Sequence, residues 1–276
     1  ALGINSYIVP LLQGALNVSS GQSYLLLAST FAAFLLFSYP ATALITKVGY
    51  KKTMVLAFAI FAFGFLLFVP SAKMQSLPLF MIASFICGIG NTVLQAAINP
   101  YATYLGPIDT AARRISIMGI CNIIAWPASP MFLAWLIGKN LDEMVLSDII
   151  FPFYVLTAIF VLLGVLVWVS PLKEMAFGEQ EEETEDTSEA DGKTSIFQFP
   201  HLILGAIALF MYVGVETVAM ASSVDYAASL SLPDPEQYAF VPSIGMILGY
   251  IFGIIMIPKY LSQSGALRLH SWVAIA

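Results

Sequence analysis

The stretch that decides the fold is LPLFMIASFICGIGNTVLQAAINPYATY, residues 77–104. It is apolar along its whole length, yet it carries three amides at intervals of four residues: Asn91, Gln95 and Asn99. On a helix this spacing puts all three side chains on one face, with a drift of roughly 40° per step. A polar stripe in a membrane helix is costly unless it faces other helices or water. We therefore predict that the stripe lines a pathway or a binding site.

The composition of the chain indicates a membrane protein with several spans. Hydrophobic residues make up 59% of the 276 residues, charged residues make up 10%, and the mean hydropathy is +0.86. Soluble domains carry about 25% charged residues. Long apolar runs without alternation favour helices over the strands of a membrane barrel. The predicted fold class is therefore an all-α membrane protein.

The hydrophobic runs predict the positions of the membrane helices, at about 20 residues for each span. Complete spans are expected at 22–46, 53–70, 77–104, 112–137, 149–170, 199–228 and 239–260. The apolar residues 1–12 are expected to end another helix, and Ser271–Ala276 are expected to begin one more. Because both ends of the chain fall inside apolar runs, we expect it to be a fragment of a longer protein.

Basic residues are distributed unequally between the two sides of the predicted membrane. Of the 11 lysines and arginines, only Lys73 and Lys139 fall in loops on one side. The other side carries Lys47, Lys51, Lys52, Arg113, Arg114, Lys173, Lys193, Lys259 and Arg268. The positive-inside rule makes the second side cytoplasmic.

An acidic segment separates two groups of predicted helices. Between Pro171 and Ser195 stand nine acids and two lysines, a contribution of −7 to a total net charge of −6. A segment this polar cannot form a core, so we expect a solvated cytoplasmic linker. The predicted domains are an N-terminal six-helix half at 1–170, whose first helix is truncated, a linker at 171–198, and the start of a C-terminal half at 199–276.

Several motifs resemble those of the fucose permease branch of the major facilitator superfamily. They are QAAINPY at 95–101, LGP at 105–107, RIS at 114–116, GYK at 49–51 and YVGVE at 212–216, together with Asn5 and Pro10. The resemblance extends over essentially the whole chain. It implies the major facilitator fold, with twelve helices in two halves. This chain would cover the end of the first helix to the start of the ninth.

Within that branch, the glucose and galactose transporters are more similar to this chain than fucose permease is. Fucose permease has a glutamate at the position of Gln95 and a glutamine at that of Glu216, whereas the glucose and galactose transporters share the residues of this chain. The chain departs from the branch at Ser6, where an acid is usual, and at Gly119, where a glutamine is usual. Asn122 is retained.

The polar residues of the predicted spans suit sugar binding. Hexose hydroxyls donate and accept hydrogen bonds, as neutral amides do, and aromatic rings pack against the C–H faces of a sugar. The candidate substrate-binding residues are Gln95, Asn122, Asn91, Asn99, Asn5 and Tyr212, with Tyr24 and Trp126 as further aromatic candidates. In the alternative interpretation, the amides form hydrogen bonds that join neighbouring helices, and the aromatic residues only pack against other side chains.

Glu216 is the candidate coupling residue. It follows His201, at the predicted cytoplasmic edge, by fifteen residues. That distance is roughly 22 Å of helix and puts the carboxylate near the middle of a bilayer core about 30 Å thick. A carboxylate at that depth must be protonated, bound to a cation or hydrogen-bonded. A static pair between helices is the alternative.

The predicted function is import of a hexose of the glucose or galactose type across the bacterial inner membrane, by alternating access and coupled to sodium or protons. The expected partners are the sugar, the coupling ion and the lipid bilayer, without nucleic acid, and a monomer is expected. The sequence has no phosphate-binding glycine loop, metal cluster or nucleophile with a paired base, so we expect no enzyme activity, cofactor or metal. A proton-driven exporter of small amphipathic compounds and a transporter-like sugar sensor remain as alternatives.

Overall fold

The computed structural model describes residues 18–107, 110–138, 145–174, 198–233, 240–257 and 259–275, together with Leu12, Leu16 and Tyr238. Asn5, Ser6 and the acidic run Glu179–Asp191 lie outside the described residues, and so do the side chains of Tyr24 and Trp126.

Eight long helices make up most of the described chain. They are α1 (Ser20–Val48), α2 (Tyr50–Lys73), α3 (Leu77–Tyr104), α4 (Ala111–Ile137), α5 (Ile150–Val169), α6 (Pro200–Ser229), α7 (Phe240–Met256) and α8 (Gln263–Ile275). Helices α1 to α7 coincide in position with the seven spans predicted from the sequence, and α3 has the predicted bounds. By length and composition, α1 from Leu25 onward, α2, α3 and α5 are candidate membrane spans.

Two predicted boundaries in the last part of the chain are wrong. Helix α7 ends at Met256 rather than at 260. Its continuation is disfavoured because a proline follows Ile257, and the residue before a proline avoids the helical conformation. Helix α8 begins at Gln263 rather than at 271, because the hydroxyl of Ser262 accepts a hydrogen bond from the backbone N–H of Gly265 at 3.1 Å and so caps the new helix.

The chain forms two compact units. The first consists of Ala1–Ile115 with Ile124–Glu179, and the second of Ser116–Ile123 with Gln180–Ala276. In the first unit, α3 packs between α1 and α2, and α2 also packs against α5.

Stacked aromatic rings form the core between α2 and α5. The rings of Phe68 and Phe153 lie parallel with centroids 4.7 Å apart, and Phe65 and Phe160 have centroids 5.1 Å apart. Phe65, Phe68 and Phe153 are almost completely buried. The contacts between these rings set the spacing of α2 and α5.

The start of α2 and the ends of α3 and α5 lie together at one end of the first unit. The Lys51 ammonium donates a hydrogen bond to the carbonyl of Ser170 at 2.8 Å, and its backbone N–H donates to the Glu174 carboxylate at 3.0 Å. The Tyr101 hydroxyl donates to the carbonyl of Lys173 at 3.1 Å. Lys51 and Lys173 thus share one end, as expected for two residues that are predicted on the same side of the membrane.

Arg114 closes the end of α3 at that same side. Its guanidinium donates hydrogen bonds to the carbonyls of Ala102 at 2.8 Å and Thr103 at 2.6 Å. Further bonds reach the carbonyls of Gly106 and Pro107, both at 3.1 Å. The last carbonyls of a helix have no partner within the helix, so a cation at this position both pairs them and complements the helix dipole.

Candidate functional site

The three amides of the predicted stripe line one cleft in the first unit. The cleft lies between α1 and α3 and has a volume of about 340 Å³, within the range of small-molecule sites. Its lining residues are Asn91, Thr92, Gln95, Ala96 and Asn99 from α3, and Phe34, Ser38 and Thr42 from α1. Three of the predicted substrate-binding residues are thus brought together.

Sequence reasoning did not single out the wall that α1 contributes. Phe34, Ser38 and Thr42 follow one another at intervals of four residues, the same spacing that identified the amides of α3. Hydroxyl side chains are common in membrane helices because they can bond to their own backbone, so the pattern on α1 stands out less. The structure shows that these three residues face α3, and this packing identifies them as part of the cleft.

The amides and the hydroxyls of the cleft differ in their hydrogen bonds. Within the described part of the chain, no side-chain hydrogen bond involves Asn91, Gln95 or Asn99. The side chains of Gln95 and Asn99 are exposed, and that of Asn91 is half-buried. Each amide therefore offers two donors and one acceptor oxygen to a ligand. The hydroxyl of Thr92, by contrast, donates to the carbonyl of Gly88 at 2.9 Å.

Helices α1 and α3 are in direct contact about one turn before the residues that line the cleft. The hydroxyl oxygens of Thr30 and Ser84 are 2.6 Å apart, and Ser84 donates to the carbonyl of Leu26 at 3.1 Å. A Cβ atom at Gly88 would lie 2.7 Å from the carbonyl oxygen of Thr30 and 2.7 Å from the Cβ of Ala33. The two backbones are therefore in direct contact, as is usual where small residues line a crossing in a membrane.

The predicted coupling residue lies in the second unit, in the middle of α6. Glu216 is half-buried. The phenols of Tyr212, one turn earlier on α6, and of Tyr250 on α7 lie within electrostatic reach of its carboxylate. Two phenols thus stand near one acid.

Gly119 provides the space that Tyr250 occupies. A Cβ atom at Gly119 would come within 2.5 Å of the Cζ atom of the Tyr250 ring and within 2.7 Å of Cε1. Gly253 of α7 lies beside Ser116, whose Oγ would be 3.6 Å from an added Cβ. The segment 116–123 of α4 and helix α7 are therefore in close contact, and any side chain at position 119 would displace the ring.

Two further candidates lie in the second unit, whereas Asn5 and the side chains of Tyr24 and Trp126 are outside the described part of the chain. Asn122 is exposed on α4 and Tyr212 is exposed on α6, and both belong to the second unit. Among the described residues, no group of His, Cys, Asp and Glu side chains has the arrangement of a metal site.

Comparison with known proteins identifies the class. Residues 1–271 match the Major Facilitator Superfamily. The chain belongs to this superfamily. Its fold is found in a crystal structure of the fucose:proton symporter of Escherichia coli, with a TM-score of 0.67 and 20% sequence identity over 92% of this chain and 66% of that one. A second structure, of a superfamily transporter in the outward conformation, gives a TM-score of 0.72 at 20% identity, over 93% of this chain and 67% of that one.

Curated relatives of the chain carry the names of sugar transporters. The glucose/galactose transporter of Brucella abortus is 31% identical over 99% of this chain and 66% of its own length. The L-fucose-proton symporter of Escherichia coli is 23% identical over 82% of this chain and 56% of its own length. The chain thus spans 66% and 56% of the lengths of these two relatives.

These findings confirm the predicted family and fold class. The chain is a multi-pass membrane protein with the major facilitator fold, and it belongs to a family of transporters rather than enzymes.

Proposed function

We propose that this protein imports a hexose of the glucose or galactose type across the bacterial inner membrane by alternating access. The observation that carries the proposal is the set of three amides in the cleft, Asn91, Gln95 and Asn99, which share one face of α3 and pair with no other described side chain. Amides used only to join helices would be bonded to the neighbouring helix. Amides that remain open suit a ligand whose hydroxyls both donate and accept.

The comparisons support a sugar as this ligand. Relatives that cover nearly the whole chain are named as glucose/galactose transporters, and a more distant relative is named as an L-fucose-proton symporter. The lining of the cleft is uncharged and six of its eight residues are polar, whereas the exporter alternative calls for a wide apolar cavity. Asn122, Asn5 and Tyr212 remain candidate substrate-binding residues in the proposal.

Coupling to a cation is assigned to Glu216. Its carboxylate stands in the middle of an apolar helix, where a charge must be neutralised by a proton, a cation or hydrogen bonds. The ion is sodium or a proton, and the name of the fucose relative favours the proton. We also propose that the acidic linker is cytoplasmic, and the position of Lys51 beside Ser170 and Glu174, just before the linker, supports this.

Transport by the whole protein in proteoliposomes tests the proposal. Glucose, galactose and fucose would be offered in turn under a proton gradient, a sodium gradient and no gradient. We expect accumulation of glucose or galactose above the external concentration under one of the two gradients only. Binding of a sugar without accumulation would replace the importer with the sensor, and no binding of any hexose would refute the proposal.

A further inference from the structure

The wall of the cleft formed by α1 presents two hydroxyl oxygens and one ring. Ser38 and Thr42 line the cleft one turn apart and both are exposed, and the half-buried Phe34 lies one turn before them. All three positions share one face of α1 because four residues make slightly more than one helical turn. They stand opposite the amides of α3.

Both hydroxyl protons on this wall are already engaged. The Ser38 hydroxyl donates to the carbonyl of Phe34, and the Thr42 hydroxyl donates to the carbonyl of Ser38 at 3.1 Å. This bond to the carbonyl four residues earlier is the usual arrangement of serine and threonine inside helices. A hydroxyl has one donor and two acceptor lone pairs. With the donor engaged, only lone pairs are left to face the cleft.

The two walls therefore differ in chemistry. The α3 wall, with Asn91, Gln95 and Asn99, can donate and accept, whereas the hydroxyls of the α1 wall can only accept. A ligand group next to α1 must therefore donate the hydrogen bond. A group that can only accept would lie against the two hydroxyl oxygens and form no hydrogen bond with either of them. Two acceptors in contact lose the bond and repel each other.

We propose that Ser38 and Thr42 are specificity-determining residues that select a sugar hydroxyl acting as a donor, while Phe34 packs against the adjacent C–H surface of the ring. This inference rests on the proposed sugar binding and adds α1 to the residues that recognise the substrate. It predicts that the cleft distinguishes a hydroxyl from a fluorine at the sugar carbon that faces α1, because fluorine can accept weakly and cannot donate.

The experiment measures binding of glucose and of its monodeoxy and monofluoro analogues to the whole purified protein. In the unmodified protein, at least one fluoro analogue should bind about two- to tenfold more weakly than glucose, the range of one neutral hydrogen bond. In Ser38→Ala or Thr42→Val, the affinity for glucose should fall by that same factor, whereas the affinity for the analogue should not change. The ratio between glucose and the analogue should then fall to about one, as in a double-mutant cycle.

Matched controls are available on the same helix. The hydroxyl of Ser29 donates to the carbonyl of Leu26 at 2.7 Å and that of Thr46 donates to the carbonyl of Ala43 at 2.8 Å, and neither residue lines the cleft. Ser29→Ala and Thr46→Val should keep the unmodified ratio. Thr42→Ser should also keep it, since it retains the hydroxyl.

The outcomes separate this inference from the proposed function. If the unmodified protein binds hexoses and the ratios in Ser38→Ala and Thr42→Val equal those of the two controls, the role of the α1 wall is refuted and sugar binding stands. If the unmodified protein binds no hexose, both proposals fail. Should Thr42→Val not fold, Ser38→Ala alone decides, because it removes one oxygen from an exposed position.

Discussion

The polar side chains of the cleft in the first unit and the acid in the second unit differ in whether other protein groups interact with them. In the cleft, the amides of Asn91, Gln95 and Asn99 are left without a partner among the described residues. In the second unit, the phenols of Tyr212 and Tyr250 both lie within electrostatic reach of the Glu216 carboxylate. The neutral amides thus have no partner among the described residues, whereas the ionisable carboxylate has two phenols near it.

The difference follows from the free energy of desolvation. A neutral amide in a polar cleft can bond to water between ligands, so its exposure costs little. An unpaired charge in the middle of a membrane costs several kcal/mol and needs partners from the protein at all times. Open amides are suited to recognising a ligand that comes and goes, and a paired acid is suited to responding to an ion. Recognition and coupling are then separable by mutation.

The largest effect is expected from removing the charge of Glu216. In Glu216→Gln, gradient-driven accumulation of sugar should fall at least tenfold, since a neutral amide cannot take up the proton or supply the negative charge that neutralises a bound cation. Exchange of sugar across the membrane should be less affected, because the cleft is unchanged. Accumulation and exchange are measured with labelled sugar in proteoliposomes. Accumulation at the unmodified level would show that the acid is a static pair.

The next effect is expected from Gln95, in the middle of the amide stripe. Gln95→Ala should weaken sugar binding by about 1–3 kcal/mol, because a sugar hydroxyl is left buried without its partner. Expression and thermal stability should stay at the unmodified level, since the side chain is exposed and pairs with no described residue. Thr103→Ala is the control on α3, because Thr103 bonds to its own helix outside the cleft. Equal affinities in the two variants would make Gln95 a structural residue.

A smaller effect is expected from displacing the phenol ring of Tyr250. Gly119→Ala adds a Cβ atom 2.5 Å from that ring, so the ring must leave its present position, which is within electrostatic reach of Glu216. Accumulation should fall severalfold while the affinity for sugar stays the same. In Gly249→Ala the new Cβ meets nothing within 4 Å, so that variant should transport normally. If the two variants accumulate sugar equally, the phenol does not support the acid.

The smallest effect is expected at Asn122, which lies outside the cleft. Asn122→Leu should reduce the rate of sugar uptake more than Ser129→Ala does, because an amide is lost from a predicted substrate-binding position. Initial rates at low sugar concentration give the comparison. Equal rates in the two variants would remove Asn122 from the substrate-binding residues and confine recognition to the cleft.

Most of the helices could be predicted because their signals are local. Helix α3 has the predicted bounds, since Pro78 stands in its first turn and Gly106 and Pro107 follow its end. Hydropathy does not indicate the start of α8, because the residues near Ser262 are polar, although a serine at this position caps the helix.

The candidate site was only partly predictable. Asn91, Gln95 and Asn99 were found because three amides are rare in an apolar helix. Ser38 and Thr42 are ordinary residues of a membrane helix, and their importance depends on the packing of α1 against α3. The contact of Gly119 with Tyr250 joins residues far apart in the sequence, and no local pattern indicates it.

The crossing of α1 and α3 has a consequence for the thermodynamics of transport. Because Gly88 touches the backbone of Thr30 and the buried hydroxyls of Thr30 and Ser84 are bonded, the two helices should move as one rigid body. The width of the cleft would then be the same in every state of the transport cycle. Contacts from its two walls alone would contribute equally to the affinity of each state, and a ligand that binds two states equally shifts no population. The free energy that drives the protein from one state to the other must then come from groups outside the cleft.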